Sequence, residues 1–200
     1  MSRRVFLLSP ASTGGRRAGV LFSPRASFDL AVRVRTVEGE AIGEVFAFLS
    51  GLYFRGKLAY ARAFARPDTV IRVITSNRGL LPPEQRVTLD DLRALSQGDI
   101  DPERPDYREP LRRDAERLAE ELGDEGEVVL LGSIATDKYA GILLEVFGRR
   151  LKFPEQFVGR GDMSRGGLML RAVRENQELA YRELLGAIRH GKRPERLVPL

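Results

Sequence analysis

Three short apolar segments do most to limit the folds open to this chain. Residues 5–8, 70–74 and 128–131 consist mainly of valine, isoleucine and leucine, and small or polar residues follow each of them. Such runs are typical of strands that are buried on both faces, which occur in parallel sheets covered by helices. The sequence therefore predicts an α/β fold with a mainly parallel central sheet.

Segments with helical periodicity separate these strands. Residues 42–65 repeat apolar side chains at helical spacing, with Gly51 and Gly56 as points of bending or close packing. Further helices are predicted over residues 110–122 and 137–147, and a glycine follows each of them as a C-cap. The alternation of strands and helices predicts right-handed crossovers and a three-layer sandwich.

Four other segments have weaker patterns. Residues 28–35 alternate with period two and predict a strand, although they could equally open a helix. Residues 168–173 could form an edge strand, and residues 179–185 a strand or a short helix. Residues 97–110 are rich in glycine, aspartate and proline, which predicts a loop.

The length and composition predict one domain. Two hundred residues, 42% of them hydrophobic, can bury one sizeable core. We therefore expect a single α/β domain over residues 1–188 and a basic, irregular tail over residues 189–200, with Lys192, Arg193 and Arg196 around two prolines.

The absence of cysteine excludes several kinds of chemistry. Disulfides, thiolate metal sites and thiol nucleophiles cannot form, and the single histidine, His190, makes a Ser-His-Asp triad possible only if the tail folds back. The alternative for His190 is a plain surface residue. The sequence therefore predicts a site without metal or cofactor.

The charge and hydropathy of the chain bear on its partners and location. The net charge of +5 favours polyanionic partners, and a soluble, charged surface explains the same number equally well. The apolar run after Met1, Ser2, Arg3 and Arg4 is too short for a signal peptide, and no apolar stretch approaches membrane-spanning length. We expect a cytoplasmic monomer that binds nucleic acid, DNA rather than RNA, and no membrane.

Ligands of open α/β sheets bind beyond the carboxyl ends of the strands, which selects the loops that follow the predicted strands. After the first strand, residues 9–17 combine hydroxyls, glycines and cations, a composition that suits a phosphate. The spacing is not that of a Walker A loop, and a plain turn explains the segment nearly as well. The binding candidates here are Ser9, Ser12, Thr13, Arg16 and Arg17.

The loops after the second and third strands offer further candidates. Asn77 could read a base edge and Arg78 could meet a phosphate next to Ser76, although a polar turn closed by Gly79 is the alternative. The second of these loops leads into a helix, where Thr136 or Asp137 could serve only as the N-cap. Its other candidates are Ser133, Lys138 and Tyr139.

A glycine-rich segment over residues 157–167 is the most unusual part of the sequence. Four glycines surround Asp162 and two arginines, so the backbone could approach a ligand closely while the arginines flank it. This pattern favours a functional loop over a charged hairpin turn. The candidates are Arg160, Asp162, Ser164 and Arg165.

Aromatic residues near residue 55 could stack on a base. Helical spacing favours a core position for Tyr53 and Phe54. It leaves open whether Lys57 and Tyr60 belong to the core or to a binding site.

Three stretches resemble the YaaA-like family of small bacterial proteins. They are residues 73–82 followed by residues 88–91, the opening residues 7–11, and the strand 128–131 with its turn and the helix residues Lys138 and Tyr139. The family is related in fold to the uracil-DNA glycosylase superfamily, so the resemblance implies a glycosylase-like or Rossmann-like sandwich and DNA binding or action on a base. Because Gly132, Ser133 and Ile134 stand in place of a His-Pro-Ser motif, it indicates a modified or damaged base as the target.

A glycosylase needs a carboxylate for the sugar and a donor for the departing base. We expect Asp162 to supply the carboxylate, with Asp137 as second candidate, and Asn77 to read the base. Phosphates around an everted nucleotide would contact Arg16, Arg17, Arg160 and Arg165. One alternative is a DNA- or RNA-binding module without catalysis. The other is an enzyme that acts on a free nucleotide and holds its phosphate with residues 9–15.

Overall fold

The computed structural model describes residues 3–195 of the chain. Within them the strands are β1 (Arg4–Leu8), β2 (Glu40–Ala41), β3 (Thr69–Ile74), β4 (Leu80–Leu81), β5 (Arg86–Val87), β6 (Glu127–Leu131), β7 (Leu151–Pro154) and β8 (Tyr181–Glu183). The helices are α1 (Arg16–Phe22), α2 (Asp29–Arg33), α3 (Ile42–Ser50), α4 (Leu52–Ala63), α5 (Leu89–Gln97), α6 (Pro105–Leu122), α7 (Asp137–Phe147) and α8 (Asp162–Glu175). Short 3₁₀ turns cover Gly148–Arg150 and Glu155–Phe157.

A six-stranded sheet in the order β4-β3-β1-β6-β7-β8 forms the centre of the fold, with helices around it. Strand β1 pairs in parallel with β3 on one side and with β6 on the other, so that Val5 lies between Val70 and Val128. Strand β7 is parallel to β6, whereas β4 and β8 are antiparallel to their neighbours. The predicted α/β fold with a mainly parallel sheet is confirmed, as are the three apolar strands.

The direction in which the chain moves across the sheet reverses at β1. The first crossover leads from β1 to β3 on one side, and the next leads to β6 on the other side. Loops that follow β1 and β6 therefore diverge at the carboxyl edge, which is where such sheets bind ligands.

The long helix predicted over residues 42–65 is two helices. Gly51, with a φ of 59°, ends α3 and begins α4 at the predicted point of bending. A side chain at Gly51 would collide with the guanidinium of Arg17, which donates a hydrogen bond to the Phe48 carbonyl oxygen at 2.9 Å.

Several of the weaker predictions need correction. Residues 28–35 contain helix α2, so the strand interpretation is wrong and the helix alternative is confirmed. The predicted edge strand over residues 168–173 is wrong, because Leu168, Met169 and Ala172 are buried at helical spacing within α8. The strand alternative for residues 179–185 is confirmed by β8.

Two predicted loops are shorter than the sequence suggested. Helix α6 begins at Pro105 instead of residue 110, because proline suits the first helical position, where its missing N–H costs nothing. The glycine-rich segment is irregular only up to Gly161, since Asp162 begins α8.

The predicted basic tail is irregular over residues 189–195, and its remaining residues 196–200, including Arg196, lie outside the described residues, as do Met1 and Ser2. Within residues 3–195, none of the helices combines the length and the apolar character needed to cross a bilayer.

Helices α4 and α8 lie unusually close to each other because glycines face each other across them. A Cβ atom on Gly56 would stand 2.7 Å from the Gly166 carbonyl oxygen, and one on Gly166 would stand 2.7 Å from the Leu52 carbonyl oxygen. This packing holds the start of α8 against the part of α4 that faces the end of β1.

Candidate functional site

A cleft of about 500 Å³ opens at the carboxyl edge of the sheet. We call it the central cleft. The loops after β1, β3 and β6, the facing sides of α3 and α4, the loop after α5 and the first residue of α8 all contribute to its wall. Its lining side chains include Ser9, Ser12, Thr13, Phe46, Tyr53, Ser76, Ser96, Asp99, Ser133, Lys138, Tyr139 and Asp162.

At the floor of the central cleft, Ser9 contacts Lys57, a lysine with no exposed surface. Lys57 Nζ lies 2.6 Å from the Ser9 carbonyl oxygen and 2.9 Å from Ser9 Oγ, and it donates to both. Ser9 is itself only 2% exposed, yet it lines the cleft. The last carbonyl group and the hydroxyl at the end of β1 are therefore tied to α4.

The environment of Lys57 disfavours its charge. Burial lowers the pKa of Lys57 to about 7, while the nearby Asp162 carboxylate opposes this shift and the Arg165 guanidinium reinforces it. Two ring contacts favour the charged form instead, since the amino group lies 4.2 Å from the centre of the Tyr53 ring and 4.8 Å from that of Phe54. Near neutral pH the buried amine is therefore divided between its charged and neutral forms.

Tyr139 adds a second hydroxyl beside Ser9. Its oxygen accepts a hydrogen bond of 2.7 Å from the Ser133 backbone N–H and lies beside the Ser9 side chain. Burial raises the pKa of Tyr139, so that the phenol stays protonated. Gly132 allows this approach, because a Cβ atom there would stand 2.7 Å from the Ser9 Cβ and 3.0 Å from the Tyr139 oxygen.

Asp162 supplies a carboxylate to the central cleft from the first turn of α8. Its side chain is 65% exposed and lies 3.5 Å from the Arg165 guanidinium, which is 5% exposed. Arg165 also donates to the Phe157 carbonyl oxygen. The predicted phosphate ligand Arg165 is therefore buried behind Asp162 instead of facing the cleft.

The other two residues predicted to be catalytic lie elsewhere. Asn77 donates through Nδ2 to the Ala94 carbonyl oxygen at 2.8 Å and is not among the residues that line the central cleft. Asp137 pairs with Arg189 and lines a separate hollow beside α6. Of Asn77, Asp137 and Asp162, the structure brings only Asp162 to the cleft.

The loop after β3 is fixed to the end of α5 by its own side chains. Ser76 donates to the Leu95 carbonyl oxygen at 2.5 Å, next to the bond that Asn77 makes with Ala94. Arg78 pairs with Asp91 at 2.7 Å. These contacts explain the polar turn structurally, and of this group only Ser76 lines the central cleft.

The predicted cations are dispersed. Arg160 donates to the Gln156 carbonyl oxygen and to Ser164 and lines another hollow, while Arg16 is exposed on α1. Among the described lining residues Lys138 is the only basic one, against the carboxylates of Asp99 and Asp162. The described lining of the central cleft therefore carries one basic and two acidic side chains, so the cleft is not the basic site that the sequence predicted.

The sequence does not decide whether Lys57 and Tyr60 are core or site residues, and the structure places them in different surroundings. Tyr60 is fully buried, and its hydroxyl is bonded to that of Tyr181 at 2.7 Å and accepts from the Leu179 N–H. Tyr53 and Phe54 are buried as predicted. The signal that could have identified Lys57 is a lysine inside the apolar stripe of a helix, a position that is costly unless the amine has a partner.

Comparisons with known proteins do not extend this description. No family model matches the chain, and neither a curated protein nor a solved structure matches it significantly. The likeness to the YaaA-like family depends on the short sequence stretches alone.

Proposed function

We propose that this protein is a glycosylase-like hydrolase that cleaves the N-glycosidic bond of a modified or damaged base in DNA. The observation that carries the proposal is the central cleft, which combines a carboxylate, two hydroxyls and an aromatic wall at the carboxyl edge of the sheet. Its volume falls in the range of small-molecule sites, which suits an everted base and part of its sugar.

The strand order supports the fold relation that this proposal includes. The parallel strands β3, β1, β6 and β7 stand in the order second, first, third, fourth, as in one class of doubly wound sheets. In that class the ligand lies where the strand order reverses, and Ser9 and Ser133 follow the two strands that meet at this point.

The residues of the central cleft match the demands of base excision. Breaking the bond builds positive charge on the sugar, which the Asp162 carboxylate would stabilise while it accepts a proton from the attacking water. The hydroxyls of Ser9 and Tyr139 would donate to the base, and the rings of Phe46 and Tyr53 would contact its faces.

The test is incubation of the purified protein with DNA that carries natural and modified bases, followed by detection of alkali-labile abasic sites. Asp162→Asn should slow release of the base roughly 10²- to 10⁴-fold, because it removes the charge and the proton acceptor. Asp137→Asn is the matched control, since Asp137 also begins a helix but lies outside the central cleft, and its rate should not change.

Two results would redirect the assignment. DNA or RNA binding without any abasic product would indicate a binding module, and hydrolysis of free nucleotides alone would indicate a nucleotide-processing enzyme. Equal loss of activity in Asp162→Asn and Asp137→Asn would exclude the central cleft as the reacting site.

A further inference from the structure

The contact between Ser9 and Lys57 is costly for the fold and has no part in the reaction described so far. A lysine that is fully buried loses its hydration, and Lys57 recovers two hydrogen bonds to Ser9, contacts with aromatic rings and the attraction of the Asp162 carboxylate. A hydrophobic residue would fill a position within the apolar face of α4 at lower cost.

The geometry directs the hydroxyl proton of Ser9 outward. Lys57 donates to the carbonyl oxygen and to Oγ of the same residue, so Ser9 Oγ acts as the acceptor in that contact. The one proton on Oγ then remains for Tyr139 or for a ligand in the central cleft, which Ser9 lines. Lys57 itself does not line the cleft, and any effect it has on a ligand passes through Ser9.

The described lining contains no histidine, and Asp162 already serves the sugar in the proposed reaction. The departing base needs a proton as well as hydrogen bonds from the Ser9 and Tyr139 hydroxyls, because a base that leaves without a proton carries negative charge. We propose that Ser9 and Lys57 form a proton relay to the departing base, in which Ser9 contacts the base and Lys57 resupplies the Ser9 proton. This inference rests on the proposed function.

The proposed step is balanced in protons and electrons. The bond from the sugar carbon to the base nitrogen breaks, and its electron pair goes to the base, which takes the Ser9 Oγ proton while Oγ takes one from the Lys57 ammonium. The oxygen of water bonds to the sugar carbon, and the released proton goes to the Asp162 carboxylate. The products are the free base and an abasic sugar, and exchange with solvent returns Lys57 and Asp162 to their starting forms.

The relay predicts a direction of pH dependence. The groups that face Lys57 are Ser9 from β1, Tyr53 from its own helix, and Asp162 and Arg165 from α8. Together they leave the pKa of Lys57 at about 7. Because the ammonium is the form that gives the proton, kcat/KM should fall about tenfold for each pH unit above this value.

The experiment compares pH profiles of base release for the wild-type protein, Ser9→Ala, Lys57→Met and Ser96→Ala. Ser9→Ala and Lys57→Met should lower kcat/KM roughly 10²- to 10⁴-fold at pH 6 and abolish its decline above pH 7. Ser96 is the matched control, since it lines the same cleft but its hydroxyl donates to the Arg93 carbonyl oxygen. A merely structural role for Ser9 would lower the rate without changing the shape of the profile.

Two measurements keep the relay testable if Lys57→Met does not fold. Ser9→Ala removes the same step without touching the buried lysine, and NMR titration of the Lys57 amine in the wild-type protein should show a midpoint near 7. The relay would be overturned if Ser9→Ala and the wild-type protein released the base with the same pH profile, or if the Lys57 midpoint lay near the ordinary 10.5. Either result would leave the proposed base excision unaffected. If the wild-type protein releases no base from any substrate, both the proposed function and the relay are overturned.

Discussion

The buried amino group of Lys57 connects the stability of the fold to pH. In the unfolded chain this amine has a pKa of 10.5, and in the fold burial lowers it to about 7. Between these values the unfolded state binds a proton that the folded state does not, so the free energy of unfolding rises with pH across this range and is insensitive to Lys57 below it.

We therefore expect Lys57→Met to flatten the pH dependence of stability. From pH 7 to 9 the wild-type protein should gain up to about 1.4 kcal/mol per pH unit from this group, and the variant should gain nothing from it. Urea unfolding at several pH values measures the difference. Lys152 is a half-exposed lysine paired with Glu127, and Lys152→Met is the control: its plot of unfolding free energy against pH should run parallel to that of the wild-type protein. A parallel plot for Lys57→Met would contradict the prediction.

Asn77 illustrates a residue whose polar chemistry serves the fold. Its amide donates to the Ala94 carbonyl oxygen near the end of α5, so Asn77→Ala should lower the free energy of unfolding by about 1 kcal/mol. Base release by the folded variant should match the wild-type rate. If the variant folds normally but loses activity, the original hypothesis that Asn77 reads the base regains support.

At the scale of helices, the close contact of α4 with α8 places Asp162, which lines the central cleft, near the buried Lys57 amine. Gly56→Ala should destabilise the protein by about 1–3 kcal/mol, because the new methyl group would meet the Gly166 backbone at 2.7 Å and force the helices apart. Base release should fall as well, since Asp162 would move away from the floor of the cleft.

The matched control for this helix contact is Gly19→Ala in α1, where nothing lies within 4 Å of the added Cβ. That substitution should leave stability unchanged or raise it by up to about 1 kcal/mol, as expected for alanine in an unobstructed helix. Thermal melting of both variants makes the comparison. Equal melting temperatures for Gly56→Ala and Gly19→Ala would show that the helix spacing is more tolerant than the geometry indicates.

The sequence predicted elements well where burial alone decides their form. The strands β1, β3 and β6 consist mainly of apolar residues, and α7 has a regular apolar stripe with a glycine after it, so their positions could be read directly. The start of α8 could not, because four glycines over residues 159–167 have turn propensity, and what makes that segment helical is its packing against α4.

The candidate site was predictable to a similar degree. The rule that ligands bind at the carboxyl edge selected Ser9, Ser133 and Tyr139, and the glycine-rich pattern selected Asp162. All four line the central cleft. It could not exclude Asp137, because whether a side chain at a helix start points into a cleft or away from it depends on the rotation of the helix. Lys57 lies in the interior of a helix, and the rule selects only residues in the loops that follow strands.

On the scale of the whole molecule, much of the positive charge is already neutralised by neighbours. The net charge is +5, but arginines such as Arg78, Arg104 and Arg112 pair with nearby carboxylates. Lys138 is the basic residue among the described lining of the central cleft, and Arg16 is exposed on α1. Few phosphates can therefore be contacted at once.

We expect binding to a short DNA duplex to depend moderately on salt. About two to four phosphate contacts would give a slope of roughly −2 to −4 in a plot of log affinity against log salt concentration. Lys138→Ala should reduce the steepness by about 1, whereas Lys152→Ala, at the opposite end of the sheet, should not. Fluorescence anisotropy over a salt series measures both, and a flat plot would favour a free nucleotide as ligand.

The two outermost strands of the sheet, β4 and β8, are two and three residues long and both run against the direction of their neighbours. A long, flat border with free backbone groups would invite another polypeptide to join it and begin a fibril, and these short borders offer almost no such template. The parallel strands whose carboxyl ends shape the central cleft are thereby shielded from pairing with another polypeptide.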